Sequence, residues 1–352
     1  MQEFHLVDEK RQPIPIMEGF PKEYLKNEFP GAAKFHAVHN DLVLLFQIIK
    51  VGPYEIADSE YLTNIKVKNR DKDKDKDKTP LKNKDKDKGK LGARANGPSL
   101  ELHFLLTGQV QIHLKGLNWT LLVEGSHNIT TVPAVKSEVY FKELPVATFD
   151  LHFLEESFAV IVRKYPKLAP LLAVYRTKKE KSFFRNRELT NPLILHLILQ
   201  IKLALKAGLE NEPSTLEMVE KLIYLVLEDE LVVPKFHYNY NDIERIHEAH
   251  RLIGMYLEEK NILQNKMQQA AMPPAKFREG FKLLFGRLPS QYLHDKRMER
   301  AHKLATDDPT NKVDYIANLC GFDSSRHLSK AFFKTYGIKL SEILHRNRKK
   351  GN

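Results

Sequence analysis

The sequence predicts an α+β chain: an antiparallel β barrel or sandwich, helices that follow it, then an all-α domain. Three observations carry this. Apolar runs recur in period two through the first 155 residues, the spacing turns helical from about Glu156, and positive charge gathers in the last third. At roughly 150 residues per domain, 352 residues make two domains. A hydrophobic content of 42% supplies cores for both.

The β-rich module is expected over 1–155. Its runs are DLVLLFQIIKV (41–51), SLELHFLLTG (99–108), QVQIHLKG (109–116), NWTLLVEG (118–125) and VATFDLHFLEE (146–156). In the second run Leu102, Phe104 and Leu106 share one face; in the third Val110, Ile112 and Leu114 do, with Gln111, His113 and Lys115 opposite. Gly108-Gln109 and Gly116-Leu117 punctuate these runs as hairpin turns. Short strands at such regular spacing fit a small barrel or sandwich of cupin-like type. Between two of them lies NRDKDKDKDKTPLKNKDKDKGK (69–90). It has almost nothing apolar to bury, so it reads as a disordered inserted loop, and its near balance of Asp and Lys speaks against specific DNA binding.

A helical segment follows over 156–231. Asn191-Pro192 opens one helix that runs to Lys206 and stops at Gly208. Pro213 to Leu227 forms a second, with Leu216, Val219, Ile223, Val226 and Leu227 on one stripe. Such a stripe caps the β core or makes a dimer seam; the spacing fits both. LVVPKFHYNYN (231–241) reads as a linker over 232–241.

The last third is the informative part. From Asp242 to Asn352, 21 Lys and Arg stand against 13 Asp and Glu, an excess of 8 out of the chain's net +11. A basic balance confined to one domain points to a polyanionic partner. In VDYIANLCGFDSSRHLSKAFFKTYG (313–337), Ile316, Ala317, Leu319 and Cys320 make the buried face of a short helix. Gly321 lets the chain leave it, Asp323 and Ser324 can cap the next helix, and Leu328, Phe332 and Tyr336 recur every four residues within that helix. NKMQQAAMPPAKFREGFKLLFG (265–286) repeats the plan, with Pro273-Pro274 at the helix start and Phe277, Phe281, Leu284 and Phe285 inward. Between them, LPSQYLHDKRMERAHKLA (288–305) is a helix opened by Pro289, with Leu293, Met298, Ala301 and Leu304 inward. Two helix-turn-helix units are therefore expected.

The phrases FGRLPSQYL, KRMERAHKL and IANLCGFDS–HLSKAFFKTYG, in that order, resemble the DNA-binding domain of AraC-type transcription regulators over 242–346. The resemblance implies two units on one connecting helix, their second helices in successive major grooves of double-stranded DNA. By position it assigns Pro274, Ala275, Arg278 and Glu279 to base contacts of the first unit, and Ser325, Arg326 and Lys330 to those of the second. Lys282, Arg297 and Lys334 match phosphate contacts, which position without specifying. The first unit departs from the pattern. Pro273 stands at the helix start where Ser or Thr is usual, Lys266 stands at an apolar site, and Ala275 and Glu279 offer little base readout. The second unit is thus expected to carry more of the specificity. The resemblance also implies a small-molecule effector for the N-terminal module, a homodimer, and RNA polymerase as a partner if the chain activates.

Other chemistry is less well supplied. His36, His39, His103, His113, His127 and His152 lie in the β region, which raises an alternative: a cupin-like small-molecule- or metal-binding enzyme with a helical interaction domain. The close His-x-His with a following Glu is missing, so no metal site is expected. Nor is a catalytic Ser/His/Asp or Cys/His array or a Gly-rich phosphate loop legible, so no cofactor is expected and the chain reads as a non-enzyme. Trp119 is read as a core residue rather than a ligand contact. The lone Cys320 fits a reducing cytoplasm. The first twenty residues carry no apolar h-region. PLILHLILQIKLAL (192–205) is broken by His196, Gln200 and Lys202, so no membrane span is expected.

Overall fold

A computed structural model describes residues 4–7, 12–22, 28–39, 42–63, 90–95, 99–114, 120–132, 135–153, 155–166, 169–176, 181–182, 188–227, 231 and 233–350. The chain divides into two compact units, 1–233 and 234–352. The first is built on an antiparallel sheet, the second wholly on helices.

Six strands make the frame of the sheet: β1 (Ala33–His39), β2 (Leu42–Val51), β3 (Tyr54–Thr63), β4 (Ser99–Leu114), β5 (Ser126–Val132) and β6 (Val135–Phe153). Their order across the sheet is β5-β4-β6-β3-β2-β1. Cross-strand rows show why the runs are apolar on both faces. Phe104, Phe149, Asp58 and Gln47 stand in one row, and Leu102, Leu151, Ile56 and Ile49 in the next. The opposite face holds Leu105, Leu44, Ala37, Val146 and Phe141, which cluster with Leu6, Ile14, Val110 and Leu122. Leu42, Val43, Leu44 and Leu45 are therefore all buried in succession, as expected of a strand covered on both sides.

The Gly108-Gln109 turn is corrected. The chain runs through it as the single strand β4, and Gly108 (φ +81) lies at a bulge in the pairing, facing the extra residues 144–146 of β6. A Cβ there would stand 2.6 Å from the Pro145 carbonyl oxygen and 2.8 Å from that of Glu143, and the register against β6 shifts at the same level. A period-two pattern cannot tell a bulge from a turn, because glycine serves both. Gly116-Leu117, Trp119, and the insert 69–90 up to its last residue lie outside the described residues.

Helices cover the first face. Among the described residues four belong to this unit: α1 (Glu155–Lys164), α2 (Ala169–Arg176), α3 (Pro192–Lys206) and α4 (Pro213–Leu227). The Leu193 amide donates to the Asn191 side chain (3.0 Å), and Pro192 takes the first turn where its missing N–H costs nothing. Leu195, Ile198, Ile201 and Leu205 of α3, and Val219, Leu222 and Ile223 of α4, are buried within the unit. These stripes therefore cap the β core, which leaves Leu203 and Tyr224 on the outside. Lys202 reaches down from α3 to donate to Asp58 (2.5 Å), whose other oxygen accepts from Gln47 (3.2 Å). A buried pair satisfied this way fixes how helix meets sheet, and removing one partner alone costs about 3–5 kcal/mol.

The second unit has seven helices among the described residues: α5 (Tyr240–Met255), α6 (Ile262–Gln269), α7 (Pro274–Phe285), α8 (Pro289–Asp307), α9 (Val313–Leu319), α10 (Ser325–Tyr336) and α11 (Leu340–Lys350). Helix α8, 19 residues long, is about 28 Å at 1.5 Å per residue. It touches all six others. On one side, His250 stacks between Phe285 (3.9 Å) and Tyr292 (4.2 Å), beside the buried Phe277 and Phe281. On the other, Met298, Ala301 and Ala305 meet Ile316, Ala317, Cys320, Leu328 and Phe332.

Candidate nucleic-acid interface

Two helix pairs, α6–α7 and α9–α10, hang on α8. Their second helices are equal in length at 12 residues and end alike, in left-handed glycines Gly286 (φ 74) and Gly337 (φ 71). They begin differently. Helix α10 is capped by Ser324, whose hydroxyl accepts from the His327 amide at 3.2 Å. Helix α7 starts on Pro273-Pro274 with no side-chain cap. Asp323 does not cap; its carboxylate pairs with Lys260 at 3.0 Å, and that hydrogen bond holds it below the usual carboxylate range.

The outward face of α7 presents Pro274, Ala275, Arg278 and Lys282, all exposed. Glu279 is half-buried and engaged: it accepts from the Lys235 amide (3.0 Å) and the Tyr238 hydroxyl (3.2 Å). The Tyr238 ring is buried, and its hydroxyl also donates to the Lys276 carbonyl at 2.8 Å. Lys276 lies over that ring (5.3 Å) and pairs with Asp242 at 2.6 Å. Tyr238, in the stretch expected as linker, is therefore part of the core around α7, and Tyr240 is buried as well, at the start of α5. Nothing local signals this, because Tyr238 and Glu279 are 41 residues apart.

Helix α10 presents Arg326, Lys330 and Lys334, all exposed, with Ser325 half-buried at its first position. Phe333 stands exposed beside them at 52%. Tyr336, expected on the buried stripe, is 38% exposed and rests its ring against Phe332 and His302.

Arg297, on α8, is placed apart from this set. Its guanidinium donates to the carbonyls of Leu257 (3.1 Å) and Glu259 (2.8 Å) and lies over Phe322 at 5.7 Å. Desolvation draws it below the ordinary arginine value. The Gly321 α-carbon (φ +69) lies so close to it that a Cβ would collide with the guanidinium and the Leu257 carbonyl. Arg297 thus ties the α5–α6 connection to the α9–α10 turn.

Burial also sets the chemistry elsewhere. The Cys320 thiol is pushed up to about 11 by desolvation, so it is a packed thiol rather than a nucleophile at neutral pH. In the sheet, burial alone would lower the His103 imidazole, but Asp150 against its Nδ1 outweighs burial and lifts it to about 9. His103 Nε2 is buried and finds no hydrogen-bond partner among the described residues. Thr148 donates to the same Asp150 at 2.9 Å. No group of three His, Cys, Asp or Glu among the described residues could hold a metal ion. No described helix is long and apolar enough to cross a membrane.

Residues 267–346 match the family model of a helix-turn-helix domain, of the AraC type. No curated protein matches the chain. Among solved structures, the DNA-binding domain of AdpA, a global transcriptional factor in complex with a target DNA, is 24% identical and covers 30% of this chain and 95% of its own, with a TM-score of 0.29. A DNA-binding transcriptional dual regulator from Escherichia coli K-12 is 20% identical over 30% of this chain and 93% of its own, with a TM-score of 0.27. The AraC-like transcriptional activator CuxR is 9% identical over 82% of this chain and 94% of its own, with a TM-score of 0.33.

Proposed function

We propose that this chain, with an AraC-type helix-turn-helix domain at 267–346, is a DNA-binding transcription regulator that reads duplex DNA through two helix-turn-helix units. The observation that carries the reading is the pair of matched 12-residue helices, α7 and α10, set on one connecting helix with cationic outward faces. Two such helices enter successive major grooves, roughly 34 Å apart along the duplex.

The roles divide by what each side chain is free to do. Arg326, Lys330 and Ser325 on α10, and Arg278, Pro274 and Ala275 on α7, face the bases. Arg pairs bidentately with guanine O6 and N7. Lys282 and Lys334 meet phosphates. Glu279 and Arg297, assigned to DNA by position alone, are occupied within the protein and are better read as struts.

The N-terminal unit is proposed as a cupin-like effector module of a soluble cytoplasmic protein. His103 and Asp150 stand in a polar patch of the sheet with Thr148 and Glu101, and His103 Nε2, without a hydrogen-bond partner among the described residues, is the point where a small ligand would be recognised. Ligand binding acts on DNA only if the ligand prefers one state of the chain, so equal affinity for free and DNA-bound protein would sink that part. A homodimer, and RNA polymerase as partner of an activator, complete the proposal.

The test is selection of duplexes from a random pool by the full chain. The expected product is a site with two short blocks about one helical turn apart. Binding that shows no sequence enrichment and disappears at moderate salt would reduce the reading to a basic surface.

A further inference from the structure

Exposed aromatic side chains are common singly on protein surfaces, and exposure alone says nothing of Phe333. Its position does. Arg326, Lys330 and Phe333 follow one another at i, i+4 and i+7, so they form one stripe on α10. The neighbouring Phe332 is fully buried, and one residue's rotation of about 100° carries Phe333 off the core. Leu328 and Phe332 already fill the inward face; Phe333 is not part of the apolar cluster that holds them, nor among the half-buried residues around it. The stripe is thus two cations followed by a large apolar ring that is 52% exposed.

That ring can neither donate to guanine nor accept from cytosine, and it cannot hold a phosphate. The apolar group that base pairs present in the major groove is the thymine C5-methyl. We propose that Phe333 reads a thymine methyl at one position of the half-site served by α10, in line with the bases read by Arg326 and Lys330. This rests on the DNA-binding reading above. It makes the second unit sensitive to a methyl group as well as to hydrogen-bonding edges. 5-Methylcytosine at that position would be the other base accepted.

The experiment pairs selection by the full wild-type chain with selection by Phe333→Ala, followed by titration of the wild-type site with deoxyuridine replacing each thymine in turn. Deoxyuridine lacks only the methyl. The expected result is a thymine in the α10 half-site that the variant no longer selects. Uracil there should weaken wild type about threefold to fivefold, the worth of burying one methyl group, and the variant by less than twofold. Phe333→Leu should keep the preference, being apolar, and both variants should melt with wild type because the ring is outside the core. Identical selected sites, weakening of every sequence alike, or equal uracil penalties in wild type and variant would overturn the assignment and leave the regulator reading intact. A wild-type selection with no enriched site would overturn both.

Discussion

Helices α7 and α10 are built to one length and one ending, yet they present opposite amounts of free chemistry. On α10 the cap is a serine, and Arg326, Lys330, Phe333 and Lys334 are all exposed. On α7 the start is a proline pair, Ala275 offers no polar group, and Glu279 is held by Tyr238 and the Lys235 amide. A repeated scaffold therefore does not repeat its function. What it repeats is the buried stripe and the terminal glycine; the outward face is free to vary. We read α10 as the helix that discriminates and α7 as the one that docks.

The comparison can be broken at its joints first. Arg297→Ala strips donors from two backbone carbonyls and opens space beside Gly321. A loss of about 1–3 kcal/mol in stability is expected by chemical denaturation. DNA affinity at temperatures well below the transition should keep its salt dependence. Full stability with a salt slope smaller by about one would return Arg297 to the phosphates.

Arg326→Ala comes next, with a loss of about 1–3 kcal/mol on the best site and little on variants of the base it reads. Arg278→Ala should cost less and act more evenly; the reverse ranking would exchange the roles of the two helices. Lys334→Ala should weaken all sequences alike and lower the salt slope by about one. A sequence-dependent effect of that change would move Lys334 among the base readers.

His250 gives a pH-dependent contrast confined to the α7 side. Half-buried between Phe285 and Tyr292, its imidazole is pulled down to about 4, chiefly by desolvation and further by nearby cations. Its folded value lies below the unfolded one near 6.5. Folding therefore favours the neutral ring, and the stabilisation is complete above 6.5 and lost as pH falls from there toward 4. His250→Phe should flatten that part of the stability–pH curve; an unchanged curve would place the titration elsewhere. The smallest effect is expected from Glu279→Gln, which keeps an acceptor for Tyr238. Less than a twofold change in affinity and no change in the selected site should follow, whereas a changed base preference would put Glu279 in the groove.

The frame of both helices was legible in the sequence because local spacing dictates it. Phe277, Phe281, Leu328 and Phe332 recur at helical period, Gly286 and Gly337 close their helices, and Asn191-Pro192 and Pro213 open theirs. Glu279 and Arg297 were not legible as struts, because Tyr238 and the Leu257 carbonyl come from about forty residues away. Gly108 was misread for a related reason: whether a glycine turns a chain or bulges it depends on the strand opposite, here at Glu143 and Pro145. Consecutive residues on a helix lie about 100° apart, and with Leu328 and Phe332 setting the inward stripe, the sequence already placed Phe333 off its centre.

The most direct test of the asymmetry uses the selected site in three forms: intact, with the α7 block scrambled, and with the α10 block scrambled. Equilibrium affinity of the full chain is measured for each at one fixed salt concentration. Scrambling the α10 block should cost at least about tenfold more than scrambling the α7 block, the discrimination of one good bidentate contact. Equal losses, or a larger loss at the α7 block, would contradict the asymmetry.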